Sequence, residues 1–116
     1  MTTIQNISVQ ELADWLADGA RPVPVLLDVR ESWEYEICHI EGALLMSMQS
    51  IPDNYDKLNV HANADDETSI VCICHHGARS LQVAAFLHRN GFPRVLNLSG
   101  GMHAWAQQID GTMPTY

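Results

Sequence analysis

A four-residue apolar run, Ile70-Val71-Cys72-Ile73, leads directly into Cys74-His75-His76-Gly77-Ala78-Arg79-Ser80. The run is short, β-branched and entered from polar residues, so it reads as a buried strand. From Ser80 through His88 the composition is helical, and Gly91 and Pro93 stop the helix. The chain must turn from strand to helix within a few residues, with Cys74 at the strand's carboxyl end. In open α/β sheets that crevice is where ligands bind. Backbone N–H groups at a helix start have no intrahelical partner and carry the positive end of the helix dipole. Such groups gather around an anion and can depress a thiol pKa from about 8.5 toward or below neutrality. The stretch is suited to making and holding a sulfur anion.

The other segments alternate strand and helix signals around it. Ser8-Val9-Gln10-Glu11 matches a capping box, and Val9, Leu12, Ala13 and Leu16 recur at helical spacing, with Gly19 placed to close the helix. Val25-Leu26-Leu27-Asp28-Val29 shows little alternation, as expected of a strand covered on both faces. Glu31 to Glu36 predicts a short helical turn, Gly42 to Met46 a short strand, and Gln49 to Leu58 a helix interrupted early by Pro52. His61 to Thr68 is polar and acidic and is expected to be the most mobile loop. Val95 to Leu98 predicts a further strand, and a last helix follows Gly100-Gly101 through Gln108. The fold class that follows is α/β, with a mainly parallel central sheet flanked by helices on both faces. At 116 residues and 47% hydrophobic content, one domain over residues 1–116 is expected.

Composition narrows the partners. A formal net charge of −8 argues against a nucleic-acid or anionic-membrane surface. No stretch approaches the roughly 18 apolar residues of a membrane span, and Met1 to Asn6 lacks a secretory signal's basic and apolar regions. Three cysteines are too few for a disulfide framework and fit a reducing compartment, so a cytoplasmic location is expected.

Several blocks of residues resemble the rhodanese family. Leu27-Asp28-Val29-Arg30-Glu31 with Glu34-Tyr35, then His39-Ile40-Glu41-Gly42-Ala43, resemble its amino-terminal signature. Cys74-x-x-Gly77-x-Arg79-Ser80 resembles its catalytic loop. Asn90-Gly91-Phe92 and Asn97-Leu98-Ser99-Gly100-Gly101-Met102-x-x-Trp105 resemble its carboxyl-terminal signature. The blocks stand in the family's order and span most of the chain. The resemblance implies one rhodanese-like domain and a sulfurtransferase reaction through a cysteine persulfide. It implies no metal or organic cofactor. The partners it implies are a small, thiosulfate-like sulfane-sulfur donor and a thiol, cyanide or protein acceptor. Cys38 departs from the family, which usually has glycine before His-Ile; its thiol could crowd a turn or take part in redox chemistry.

The residues support this chemistry on their own terms. A Cys74 thiolate attacks the outer sulfur of the donor, and the resulting persulfide passes that sulfur to a second thiophile. Loop amides from His75 to Ser80 form the anion nest, with Gly77 allowing the turn that lets them approach. The substrate-binding set is thus His75, His76, Gly77, Ala78, Arg79 and Ser80. Arg79 either orients an anionic donor or braces the loop through an acidic partner such as Glu34. His75 and His76 either attract an anionic donor when protonated or only shape the loop. Ser80 is expected to cap the helix. Asp28, Arg30 and His39 are expected to brace, and Trp33, Phe86 and Trp105 to lie in the core.

Three other readings stand beside this one. A phosphatase or arsenate reductase also sets a cysteine and an arginine on an amide-lined loop, but a longer one. Here only His75, His76, Gly77 and Ala78 intervene, a smaller ring that suits sulfur better than a tetrahedral oxyanion. A sulfur carrier or interaction module serving a protein partner remains open, since a persulfide does not identify its acceptor. A metal site drawn from Cys38, Cys72, Cys74, His75 and His76 lacks the paired spacing of zinc modules, so no metal is expected.

Overall fold

The computed structural model describes residues 4–60 and 68–116. The stretch expected to be a mobile loop, His61 to Thr68, lies outside the described residues except for Thr68. The described elements run β1 (Gln5–Ile7), α1 (Val9–Ala17), β2 (Val25–Asp28), α2 (Ser32–Ile37), β3 (Leu44–Leu45), α3 (Ile51–Asn54), β4 (Ile70–Ile73), α4 (Ala78–Arg89), β5 (Val95–Leu98) and α5 (Gly101–Gln108). The five strands form one parallel sheet in the order β1-β5-β4-β2-β3. The α/β expectation with a parallel sheet is met.

Alternation along the central strands builds two cores, one on each face. Leu26, Val71, Ile73 and Leu98 pack with Val9, Leu12 and Trp15 of α1, Cys38 and Ile40 after α2, and Met102 and Trp105 of α5. Leu27, Ile70, Cys72 and Val95 pack on the other face with Ile51 of α3 and Val83, Ala84 and Leu87 of α4. Both faces of β4 are therefore dry, which explains an uninterrupted apolar run with no polar alternation.

Local signals set most element ends. The capping box forms as read: Ser8 Oγ accepts from the Glu11 amide at 3.1 Å, and Glu11 Oε1 accepts from the Ser8 amide at 3.1 Å. Gly91, at φ +100°, follows the Asn90 cap of α4.

Four features differ from expectation. The β1 strand is unannounced, because three residues are too few to show a period. It pairs at the sheet edge with β5, Asn6 opposite Asn97. The helix expected over Gln49 to Leu58 is only one α turn between two 3-10 segments, Met48–Ser50 and Tyr55–Val60. Pro52 sits in the first turn of α3, where its missing N–H costs nothing. Trp33 is 56% exposed rather than in the core, and it meets the ring of Tyr116 edge-on at 5.5 Å. Ser80 does not cap α4. The cap is Gly77, and Ser80 is buried in the first turn of the helix.

Candidate active site

The helices that follow β4 and β5 leave toward opposite faces of the sheet: α4 packs in one core and α5 in the other. Where neighbouring strands diverge in this way, a crevice opens at their carboxyl ends. Cys74 sits in that crevice, and its residue is 1% exposed. Gly77, at φ +108°, turns the chain back so that its N–H donates to Cys74 Sγ at 3.0 Å. This is a left-handed conformation that a side chain would strain. A Cβ on Gly77 would stand 3.4 Å from both the Gly100 nitrogen and the Leu98 carbonyl oxygen, so the loops after β4 and β5 lie close together.

The two helix starts treat their orphan amides differently. In α4 the first intrahelical bond runs from the Leu81 N–H to the Gly77 carbonyl at 3.2 Å, and Gly77 supplies no capping side chain. The amides of Ala78, Arg79 and Ser80 precede that bond and face the crevice end of the helix. In α5 the early amides are engaged: Met102 N–H donates to the Cys74 carbonyl at 2.8 Å, and His103 N–H to the His75 carbonyl at 2.9 Å. The β4 loop thus caps α5 with its carbonyls and turns the sulfur toward the start of α4.

Ser80 Oγ lies 3.3 Å from Cys74 Sγ and also reaches Asn97 Oδ1, while Asn97 Nδ2 donates to Asn6 Oδ1 at 2.9 Å. One hydroxyl proton serves two acceptors, so Ser80 can donate to Asn97 when the sulfur is a thiol and to the sulfur when it is an anion. Cys72 faces the interior. Burial, with Cys74 nearby, pushes its thiol well above the ordinary range, and it is not a competing thiolate.

The Arg79 guanidinium binds Glu34 through both terminal nitrogens, each at 2.8 Å. Of the two roles open to Arg79, bracing is the one its side chain occupies. Those bonds hold the Glu34 carboxyl down to about 2 against the opposing effect of burial, and they raise Arg79 above its usual value. Beside this pair, Arg30 and Asp28 are both fully buried. Arg30 Nη2 donates to Asp28 Oδ2 and to the Cys38 carbonyl, each at 2.6 Å. Burial pulls the Arg30 guanidinium down, but its bonds to Asp28 and Tyr116 outweigh that and leave it raised.

Tyr116, which nothing in the sequence signals, joins the two pairs. Its hydroxyl accepts from Arg30 Nη1 at 2.9 Å and donates to Glu34 Oε1 at 3.0 Å. Burial is the main cause of its rise to about 12. The phenol therefore keeps its proton across the ordinary pH range.

His75 and His76 are at the mouth, ring centroids 4.1 Å apart, and Tyr116 packs against His75 at 4.3 Å. His103, from the first turn of α5, brings a third imidazole to the same place. Burial, and then the neighbouring His76 and His103 imidazoles, lower His75 from its ordinary value, against the opposing pull of Glu34. His39 is remote from this cluster in role: it stacks on the Tyr35 ring at 3.8 Å, and its Nδ1 meets the Tyr35 carbonyl oxygen at 2.8 Å. Cys38 is buried at the end of α2, with Sγ 3.9 Å from Arg30 Nη1.

Comparison with known proteins agrees with this architecture. The rhodanese-like domain family matches residues 8–108. The probable adenylyltransferase/sulfurtransferase MoeZ of Mycobacterium tuberculosis is 34% identical over 111 residues, 96% of this chain and 27% of that protein. The adenylyltransferase and sulfurtransferase MOCS3 of Drosophila sechellia is 36% identical over 118 residues, 99% of this chain and 25% of that protein. The chain spans about a quarter of the length of these two curated relatives. The crystal structure of a rhodanese-like domain protein from Staphylococcus aureus superposes with a TM-score of 0.76 at 32% identity, covering 88% of this chain and 91% of that one. With the family matched over residues 8–108 and the fold shared with a solved member, the chain belongs to the rhodanese-like domain family.

Proposed function

We propose that this chain is a sulfurtransferase that carries a sulfane sulfur as a persulfide on Cys74. The observation that carries the reading is the arrangement at the start of α4. The Gly77 amide is already bonded to Cys74 Sγ, and the Ala78, Arg79 and Ser80 amides stand ahead of the first intrahelical bond. Fixed N–H dipoles of this kind stabilise negative charge without giving up a proton to it. The relatives whose names include sulfurtransferase support the same class of reaction.

With thiosulfate as the donor, the Cys74 thiolate attacks the outer sulfur. The donor's S–S bond breaks, and sulfite leaves with the bonding electron pair. The new terminal sulfur carries the negative charge, and the α4 amides and the Ser80 hydroxyl receive it. Cyanide or a thiolate then attacks that sulfur. Cyanide yields thiocyanate and a thiolate yields a new persulfide; in each case the Cys74 thiolate is restored. His75, His76, Gly77, Ala78, Arg79 and Ser80 form the binding loop, with Arg79 acting through its hold on Glu34. A second reading keeps the persulfide but makes the acceptor a protein. It is favoured by the relatives, whose names pair adenylyltransferase with sulfurtransferase and of whose length the matched region is about a quarter.

The test is intact mass. Reduced protein incubated with thiosulfate should gain one sulfur, and cyanide or a thiol should remove it. Cys74→Ser should gain none while keeping the parent's unfolding midpoint, because the swap is nearly isosteric. Sulfur gained by Cys74→Ser would overturn the nucleophile. A parent that gains no sulfur from thiosulfate, mercaptopyruvate or a low-molecular-weight persulfide would overturn the sulfurtransferase reading.

A further inference from the structure

We propose that His75, His76 and His103 form a binding site for one divalent transition-metal ion of the zinc and cobalt type. The inference does not rest on the sulfur-transfer reading. Each of the three residues offers a ring nitrogen, and these nitrogens all lie within 4.8 Å of one another. Metal–imidazole bonds are about 2.0–2.1 Å long, so ligands of a tetrahedral ion stand roughly 3.4 Å apart. The approach still needed is small. Rotation of the His76 and His103 side chains can supply it, because both are exposed. The backbone is already set, since the His103 N–H holds the His75 carbonyl at 2.9 Å and fixes the loop against α5.

A second observation concerns the same imidazole. His75 Nδ1 is the one buried side-chain polar atom among the described residues without a hydrogen-bond partner. Native structures rarely leave such an atom unsatisfied. Aromatic packing alone accounts for the ring contacts but does nothing for that nitrogen.

The donor set decides the class of ion. Three imidazoles with no carboxylate among them are a poor match for calcium or magnesium, which take oxygen ligands, and a good one for zinc, cobalt, nickel or copper. Three protein ligands leave a fourth position for water or an anion. An ion held there would tie the loop after β4 to the first turn of α5. The set considered from sequence, Cys38, Cys72, Cys74, His75 and His76, lacks His103. Only folding brings that residue to the pair.

Cobalt(II) and zinc(II) are the probes. Titrating the reduced full chain with cobalt should give visible d–d bands saturating at one ion per chain. The spectrum should carry no thiolate charge-transfer band and should be the same in Cys74→Ser. Zinc, followed by competition with a chromophoric chelator, should bind with the same stoichiometry. His103→Ala and, separately, His76→Ala should weaken binding by roughly tenfold or more, since even outer partners of metal ligands change affinity on that scale. Both positions are exposed, and an unchanged circular dichroism spectrum would exclude misfolding. No saturable binding up to millimolar metal would overturn the proposal. So would affinity that His103→Ala leaves intact, or a thiolate charge-transfer band that Cys74→Ser removes, which would put the ion on the cysteine.

Discussion

At Gly101 the space that a side chain would need is taken by backbone. A Cβ there would run into the carbonyl oxygens of Cys74 and His75, the two groups bound by the amides of Met102 and His103. Its φ of +56° adds a left-handed conformation that disfavours a side chain. Gly101→Ala must therefore push the Cys74 loop away from α5 and lose both capping bonds. Overpacking against rigid backbone together with the lost bonds is expected to cost about 2–4 kcal/mol. Urea unfolding should show that loss, and the mass gain with thiosulfate should slow. A variant as stable as the parent would mean that the two segments can separate freely. Ser80 makes a related point about single residues. A serine at the start of a helix reads as a cap, but here glycine takes the cap and the hydroxyl is turned inward to the sulfur and Asn97.

Between elements, the Glu34–Arg79 pair clamps α2 to α4 across the crevice mouth. The folded-state pKa of Glu34 is depressed to about 2, below its value of about 4.5 in an unfolded chain. The unfolded state therefore takes up this proton first as pH falls. The stability that the pair contributes is complete above about pH 5 and is lost as pH drops toward 2. Screening of the half-exposed Arg79 limits the effect to about 1–2 kcal/mol. Comparing Glu34→Gln with the parent by urea unfolding isolates this residue from the other carboxylates. The parent's extra stability at pH 6 should shrink steadily toward pH 2.5. A difference that does not change with pH would show that the clamp is not electrostatic.

For the molecule as a whole, the fully buried Arg30 joins parts distant in sequence. It binds Asp28 at the end of β2, the Glu34 carbonyl in α2, the Cys38 carbonyl just after that helix, and Tyr116. Removing the guanidinium strands a carboxylate in a dry interior. Arg30→Met is expected to cost about 3–5 kcal/mol, and Asp28→Leu combined with Arg30→Met to recover part of it, because an apolar pair leaves no buried charge. Urea midpoints of the two variants check this. A double variant no more stable than the single one would mean that the bonds to α2 and Tyr116, rather than the stranded charge, set the cost. On the same scale, no helix among the described residues is long and apolar enough to cross a membrane.

The sequence by itself determined the α/β class, the parallel sheet and the position of Cys74 between β4 and α4. These rest on local physics: a four-residue apolar run, a capping box, and glycines where the chain must turn. It also suggested Glu34 as the partner for Arg79. Elements too short to show a period, such as β1 and the broken Gln49 to Leu58 segment, carried no such signal. Tertiary structure alone decided the rest. It exposed Trp33, turned Ser80 toward the sulfur, set Tyr116 between two ion pairs and brought His103 to His75 and His76. Each of those outcomes depends on where a side chain meets a distant one, and no local propensity encodes that.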